Sequence, residues 1–239
     1  MWNERTVRLI GSEGVKQLDD AHVLVVGIGG VGASCVEALA RAGVGKLTLV
    51  DSDCYEQSNI NRQLYATIES LGVEKVEVAK ERVGQINPSC QVVTIKSYLS
   101  TQNIAELFDD HTFDFVVDAI DTLQPKVALL AYFYRRNIGI VSAMGAGGRL
   151  DPSKIQIADI SKTKDCMLAK NVRKRLAKQG IYRRLPCVFS TELVDKNLVE
   201  TTNGDNNKKS IVGTISYMPM LFGQMVASVV IREVIKKAS

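Results

Sequence analysis

Glycines at Gly27, Gly29, Gly30 and Gly32, an aspartate at Asp51, the string Asn59-Ile60-Asn61-Arg62-Gln63, Lys75, and the acidic pair Asp118 and Asp121 follow one another along the chain. A turn without side chains lets phosphate oxygens approach backbone N–H groups at the head of a helix, where the helix dipole also favours anions. An aspartate at the end of the next strand is placed to accept from ribose hydroxyls. These features alone describe any dinucleotide site, including that of an NAD-binding redox module. Arg62 and Lys75 narrow the chemistry. A reaction that expels pyrophosphate accumulates negative charge on the departing phosphates, and preorganised cations stabilise it, arginine through two-pronged contact. Hydride transfer has no use for them. Asp121 offers a hard oxygen to magnesium. The residues therefore predict ATP with Mg2+, with Arg62, Lys75 and Asp121 as the catalytic set and Asp121 as the metal anchor. Each charge taken singly would be a solvated surface group; their order carries the argument.

The elements that must position these residues are legible as apolar runs. His22-Val-Leu-Val-Val-Gly27 ends in the glycine turn, and residues 31–42 carry apolar positions at helical spacing, which gives strand, phosphate turn and helix. Lys46–Asp51, Val92–Ile95, Phe113–Asp118 and Ile138–Ser142 read as further strands, with helices over 73–86 and 125–136. That alternation predicts an α/β, Rossmann-like, doubly wound and mostly parallel sheet with ligands at its carboxyl edge. After Gly145-Ala-Gly-Gly148 the alternation stops. Asp151-Pro152 begins a turn into an antiparallel or edge strand, 165–184 reads as a basic helix, Pro186–Ser190 as an apolar strand, 195–210 as a polar mobile loop, and Met220–Lys237 as a closing helix. Residues 1–150 are expected to form an ATP-binding adenylation domain, and 151–239 a C-terminal, partly antiparallel, substrate-binding extension of it.

A chain of 239 residues, 46% hydrophobic and 23% charged, can bury one substantial core. Its five cysteines include no CxxC pair, which argues against a disulfide framework and a four-thiolate zinc site. Cys187 sits in an apolar strand and is expected to be an inert, buried thiol; His22 and His111 read as structural. The N-terminus lacks the pattern of an export signal, and the apolar stretch Met218–Ile231 falls short of the ~20 residues that span a bilayer, so a cytoplasmic protein with no membrane partner is expected. The formal net charge of +4 decides little. Its distribution is more informative: Lys170, Arg173, Lys174 and Lys178 can share one helical face, and with Arg183 and Arg184 they form a candidate RNA-binding surface. Tyr182 is a candidate for stacking on a base, whereas Phe189 fits core packing better.

On these residues the chain resembles the superfamily of ubiquitin-activating enzymes and their bacterial relatives, which adenylate carboxylates. The resemblance implies that Gly27, Gly29, Gly30, Gly32, Asp51, Asp53, Asn59, Arg62, Gln63, Lys75 and Asp118 hold ATP and that Asp121 associates with magnesium. It also implies a homodimer in which an N-terminal arginine, Arg5 or Arg8, reaches the nucleotide of the partner subunit. Members that activate sulfur carriers usually have paired CxxC motifs, which this chain lacks. Asn87-Pro88, Pro125-Lys126, Gly145-Ala-Gly-Gly148, Asp151-Pro152, Ile155-Gln156 and Cys187-Val-Phe-Ser-Thr-Glu192 extend the similarity over nearly the whole chain, to the transfer-RNA threonylcarbamoyladenosine dehydratases. The activity that implies is ATP-dependent cyclisation of threonylcarbamoyladenosine beside the anticodon, with transfer RNA as partner and a cysteine-desulfurase or sulfur-acceptor system as a further one. The rival within the superfamily is adenylation of the C-terminal glycine of a ubiquitin-like sulfur carrier. Some relatives carry a cysteine before the last helix; Lys208–Gly213 has none, so no cysteine acyl-enzyme is expected.

Overall fold

The computed structural model describes residues 2–195, 199–201 and 210–236. Helix α1 (Glu4–Asp20) leads into strand β1 (His22–Val26), and the glycine turn leads into α2 (Gly30–Ala42). Then follow β2 (Lys46–Asp51), α3 (Lys75–Ile86), β3 (Gln91–Lys96), α4 (Ile104–Phe108), β4 (Phe115–Asp118), α5 (Leu123–Arg135) and β5 (Gly139–Ala143). The second half adds β6 (Ile155–Asp159), α6 (Met167–Ala177), β7 (Pro186–Ser190), the short pair β8 (Val199–Thr201) and β9 (Ser210–Val212), and α7 (Tyr217–Lys236).

Seven strands form one sheet in the order β3-β2-β1-β4-β5-β7-β6, parallel throughout except for β6, which runs antiparallel to β7. Both faces are covered, which is why the strands are nearly continuous in β-branched and apolar residues. Along β1 the pleat sends Val23 and Val25 into one core, with residues of α2, α3 and α7, and Leu24 and Val26 into the other, with residues of α4, α5 and α6. The chain steps outward from β1 to β2 to β3, then returns to the far side of β1 as β4. Winding therefore reverses between β1 and β4, and the crevice at their carboxyl ends is where such sheets take ligands. The residues after 150 complete the same sheet through β6 and β7.

Five elements depart from expectation, among them the unforecast short helix α4. Helix α1 has no forecast counterpart, because Gly11 and Gly14 lower its propensity; it bends at Gly11, where φ is 74°. The basic helix ends at Ala177 rather than at 184, since Gly180 (φ 78°) and Arg184 (φ 65°) take left-handed conformations. Part of the expected loop 195–210 is strand: β8 pairs with β9, while 196–198 and 202–209 lie outside the described residues. Helix α7 runs for 20 residues and is by length and composition long enough to cross a membrane, unlike the shorter stretch seen in the sequence. It packs as a core helix against α2. A Cβ at Gly223 would stand 2.3 Å from the Val31 carbonyl, and the pair is tied by Ser34 Oγ donating to Met220 O at 2.8 Å and Gln224 Nε2 donating to Ser34 O at 3.1 Å.

Candidate active site

The glycine turn closes by sterics. Gly27 has φ 91°, and a Cβ there would lie 2.8 Å from the Ala119 carbonyl, so the β1 and β4 loops can approach only with glycine. A Cβ on Gly32 would lie 1.7 Å from the Gly27 carbonyl, which fixes the head of α2 against the turn. Gly29 differs: the nearest atom to a Cβ there is Gln63 Nε2 at 4.0 Å, so its side is open toward a ligand. No side chain caps α2, so its first N–H groups are left without a side-chain acceptor.

Asp51 closes the next strand. Its carboxylate accepts from Ile28 N at 2.6 Å and from Asp53 N at 2.9 Å, holding the β1 and β2 loops in register. Burial pushes its pKa above the ordinary aspartate value, with Lys75 and the two N–H donors opposing. Lys75 opens α3 almost completely buried; its ammonium donates to Asp53 Oδ2 at 2.9 Å and its field reaches Asp51. The cation is thus held beside Asp51 by Asp53, which is exposed.

Asn59 ends a single 3-10 turn, Gln57–Asn59, and is buried. Its Oδ1 accepts from Glu56 N at 3.1 Å, and its carbonyl accepts from the N–H of Arg62 and of Gln63, at 3.1 and 2.9 Å. The side chain and carbonyl of Asn59 thereby fold the backbone from Glu56 to Gln63 into a turn. Arg62 is half-buried and folded back, donating to Ser58 O at 2.6 Å and Asn61 Oδ1 at 2.9 Å. Gln63 is buried with an unpartnered Oε1. That acceptor, beside the open Gly29, has no donor among the described residues.

The acidic pair divides. Asp121 is exposed on the loop between β4 and α5, at the crevice. Asp118 is wholly buried beneath that loop and does not face the crevice. Its Oδ2 accepts from Lys126 Nζ at 2.7 Å and Ser142 Oγ at 2.6 Å, and its Oδ1 from Ile120 N at 3.1 Å. The expectation that Asp118 contacts nucleotide is replaced by a supporting role. Lys126, also wholly buried, donates to the Ile120 carbonyl at 2.8 Å, so the ion pair grips the loop that carries Asp121. Neither Lys126 nor Ser142 has a role predicted from the sequence, although Pro125-Lys126 carries part of the resemblance. The available signal was a lysine immediately before Val127-Ala-Leu-Leu-Ala, a stretch that faces the core and obliges any cation there to find a carboxylate.

The other expected residues lie apart. Arg5 and Arg8 are exposed on α1, Arg8 paired with Glu4, and Arg5 lines a surface cleft with Trp2, Arg41 and Arg82. On α6, Lys170 and Lys174 are exposed, as is Lys178 just past its end, whereas Arg173 turns inward and donates to Thr163 O at 2.8 Å and Thr163 Oγ1 at 2.5 Å. Arg183 and Arg184 lie beyond the helix, exposed. Tyr182 is exposed and Phe189 is buried in the core. Cys187 is buried, which pushes its thiol well above the ordinary range.

A family model for the ThiF family matches residues 3–239. The chain belongs to the ThiF family. The transfer-RNA threonylcarbamoyladenosine dehydratase of Bacillus subtilis (strain 168) is 37% identical over 95% of this chain and 92% of its own length. Its counterpart from Escherichia coli (strain K12) is 42% identical over 80% of this chain and 75% of its own. The crystal structure of the E. coli tRNA N6-threonylcarbamoyladenosine dehydratase in complex with ATP superposes with a TM-score of 0.89 at 37% identity, covering 99% of this chain and 96% of that one. The similarity of this ThiF-family chain to that protein thus runs through β6, β7 and α7 as well as the nucleotide half.

Proposed function

We propose that this protein is an ATP-dependent dehydratase that cyclises threonylcarbamoyladenosine in transfer RNA by activating its carboxylate. The observation that carries this reading is the similarity to dehydratases over both halves of the chain, joined to a crevice with the parts adenylation needs. The crevice fits a nucleotide on its own geometry: an open glycine at Gly29, bare N–H groups at α2, and an unpartnered Gln63 Oε1.

Within it, Gly27 to Gly32 would cradle phosphate oxygens and Asp51 the ribose. Lys75 and Arg62 would neutralise the departing phosphates, Arg62 by releasing the carbonyl of Ser58. Bound ATP supplies AMP as the leaving group for the threonyl carboxylate, and ring closure then needs no outside nucleophile, because the closing atom is already tethered. No cluster of three His, Cys, Asp or Glu suited to a metal occurs among the described residues. Magnesium, which takes one or two carboxylates plus phosphate and water oxygens, would therefore rest on Asp121 and the nucleotide. Transfer RNA would approach over α6. A homodimer lending Arg5 or Arg8 across its interface, a cytoplasmic location, and a sulfur-acceptor partner belong to the same reading.

Pyrophosphate release tests it. Pure enzyme with ATP and Mg2+ should release pyrophosphate when given transfer RNA carrying threonylcarbamoyladenosine. Release with a sulfur-carrier protein ending in glycine, and none with the transfer RNA, would favour the rival substrate class.

A further inference from the structure

The cations of α6 are less informative for the face they share than for a cleft they enter. An opening of about 520 Å³ lies between α4, α5 and α6. Arg135 and Arg136 at the end of α5, and Arg175 and Lys178 at the end of α6, line it with the neutral amides of Gln124 and Gln179, and no aspartate or glutamate does. Asp109 answers only Arg136, accepting from its Nη2 at 2.8 Å while the guanidinium stacks 3.5 Å over the Tyr132 ring. Arg135 donates to the neutral Gln179 Oε1 at 3.0 Å. Arg175 and Lys178 have no acidic partner among the described residues.

The helix dipole accounts for cations at either helix end taken singly. It does not account for two helix ends turning four cations into one cleft whose neighbouring acid, Asp109, is already taken by Arg136 and the Tyr132 hydroxyl, so that the charges repel unless an anion lies between them. The apolar floor, Val127 and Ala131, is itself buried and offers no anchor to a hydrophobic partner. Guanidinium forks and neutral amides match phosphate and sugar oxygens. The cleft also leads to the right place. It follows α5 from Gln124, in the first turn beyond Asp121, to Arg136, a span of about 18 Å at helical rise.

We infer that this cleft holds the sugar–phosphate backbone of the transfer RNA whose adenosine is modified at the crevice; the inference rests on the proposed substrate. The triple variant Arg135→Gln, Arg175→Gln, Lys178→Gln tests it against a control with equal charge loss elsewhere, Lys16→Gln, Lys80→Gln, Arg232→Gln. Binding of unfractionated transfer RNA is measured across a salt series, with melting temperature and ATP affinity as folding controls and the single variant Arg175→Gln as a milder substitute. The cleft variant should lower the log–log salt slope by about 2 to 3, at about 0.7–0.9 per lost contact, and the control should leave it unchanged. Equal slopes in wild type and cleft variant, or an equal loss in the control, would overturn the inference. So would poly-glutamate binding the wild-type cleft as tightly as transfer RNA, since the occupant would then be an acidic polypeptide. Dehydration of the same transfer RNA by the wild type is followed in parallel: if it fails while the slope still falls in the cleft variant alone, the function is wrong and the RNA surface stands.

Discussion

Lys126→Met removes one charge from an ion pair that has no solvent exposure on either side. Methionine keeps the length and fills the space, so the perturbation is electrostatic. Asp118 keeps Ser142 Oγ and Ile120 N as donors but loses its only cation, and the Ile120 carbonyl loses its ammonium donor. Breaking a buried pair from one side costs about 3–5 kcal/mol, which for a domain of this size lowers the melting temperature by about 6–20 °C. The pH dependence has a definite sign. Burial already holds the Asp118 pKa above its ordinary value against the pull of Lys126, and removing Lys126 raises it further. A carboxyl whose folded pKa exceeds the unfolded one binds its proton more tightly when folded, so stability is lost as pH rises through that interval. The variant's deficit should therefore be larger at neutral pH than in mildly acidic buffer. Thermal unfolding at several pH values measures this, alongside the double variant Asp118→Asn, Lys126→Met, which leaves no unpaired charge and should recover much of the loss. A single variant that melts within about 3 °C of wild type, corresponding to about 1 kcal/mol, or a double variant no better than the single, would refute the view that this pair clamps the Asp121 loop.

Further outcomes follow from the same geometry. Arg62→Ala or Lys75→Ala should cost about 3 kcal/mol of transition-state stabilisation, the loss seen when one preorganised donor is removed; pyrophosphate-release kinetics near wild type in both would deny them that role. Because burial raises the Asp51 pKa, ATP affinity should start to fall on acidification while ordinary aspartates are still ionised, and Asp51→Asn should bind weakly at every pH; calorimetric titration checks both. Gly32→Ala would push a Cβ onto the Gly27 carbonyl and should abolish nucleotide binding, whereas Gly84→Ala, where a Cβ meets nothing, should leave it intact in the same assay. Gly223→Val must part α2 from α7 and should destabilise by about 1–3 kcal/mol in urea unfolding, with a loss below that range counting against close packing there.

The sheet was readable because each strand is a short apolar run ended by a turn residue, and the winding reversal follows from the alternation with helices. The crevice was readable for the same reason: Gly27, Asp51 and Lys75 stand at the ends or beginnings of such runs. Burial of individual polar groups was not. Asp118 ends β4 and Asp121 lies three residues on in the following loop, and only the packing of α5 decides that the first turns down to Lys126 and the second out to the crevice. Arg173 shares a helical face with Lys170 and Lys174 by spacing, yet bonds the Thr163 loop because that loop happens to pack there. Helix α1 was hidden by its glycines, since its stability comes from burying Leu18 against the core rather than from local propensity.

The central claim is that ATP is spent on closing a ring within a transfer-RNA nucleoside. Mass spectrometry of nucleosides from transfer RNA incubated with the enzyme, ATP and Mg2+ tests it directly. Threonylcarbamoyladenosine should be replaced by a species lighter by one water, in step with AMP formation; intact threonylcarbamoyladenosine after ATP has been consumed would contradict it.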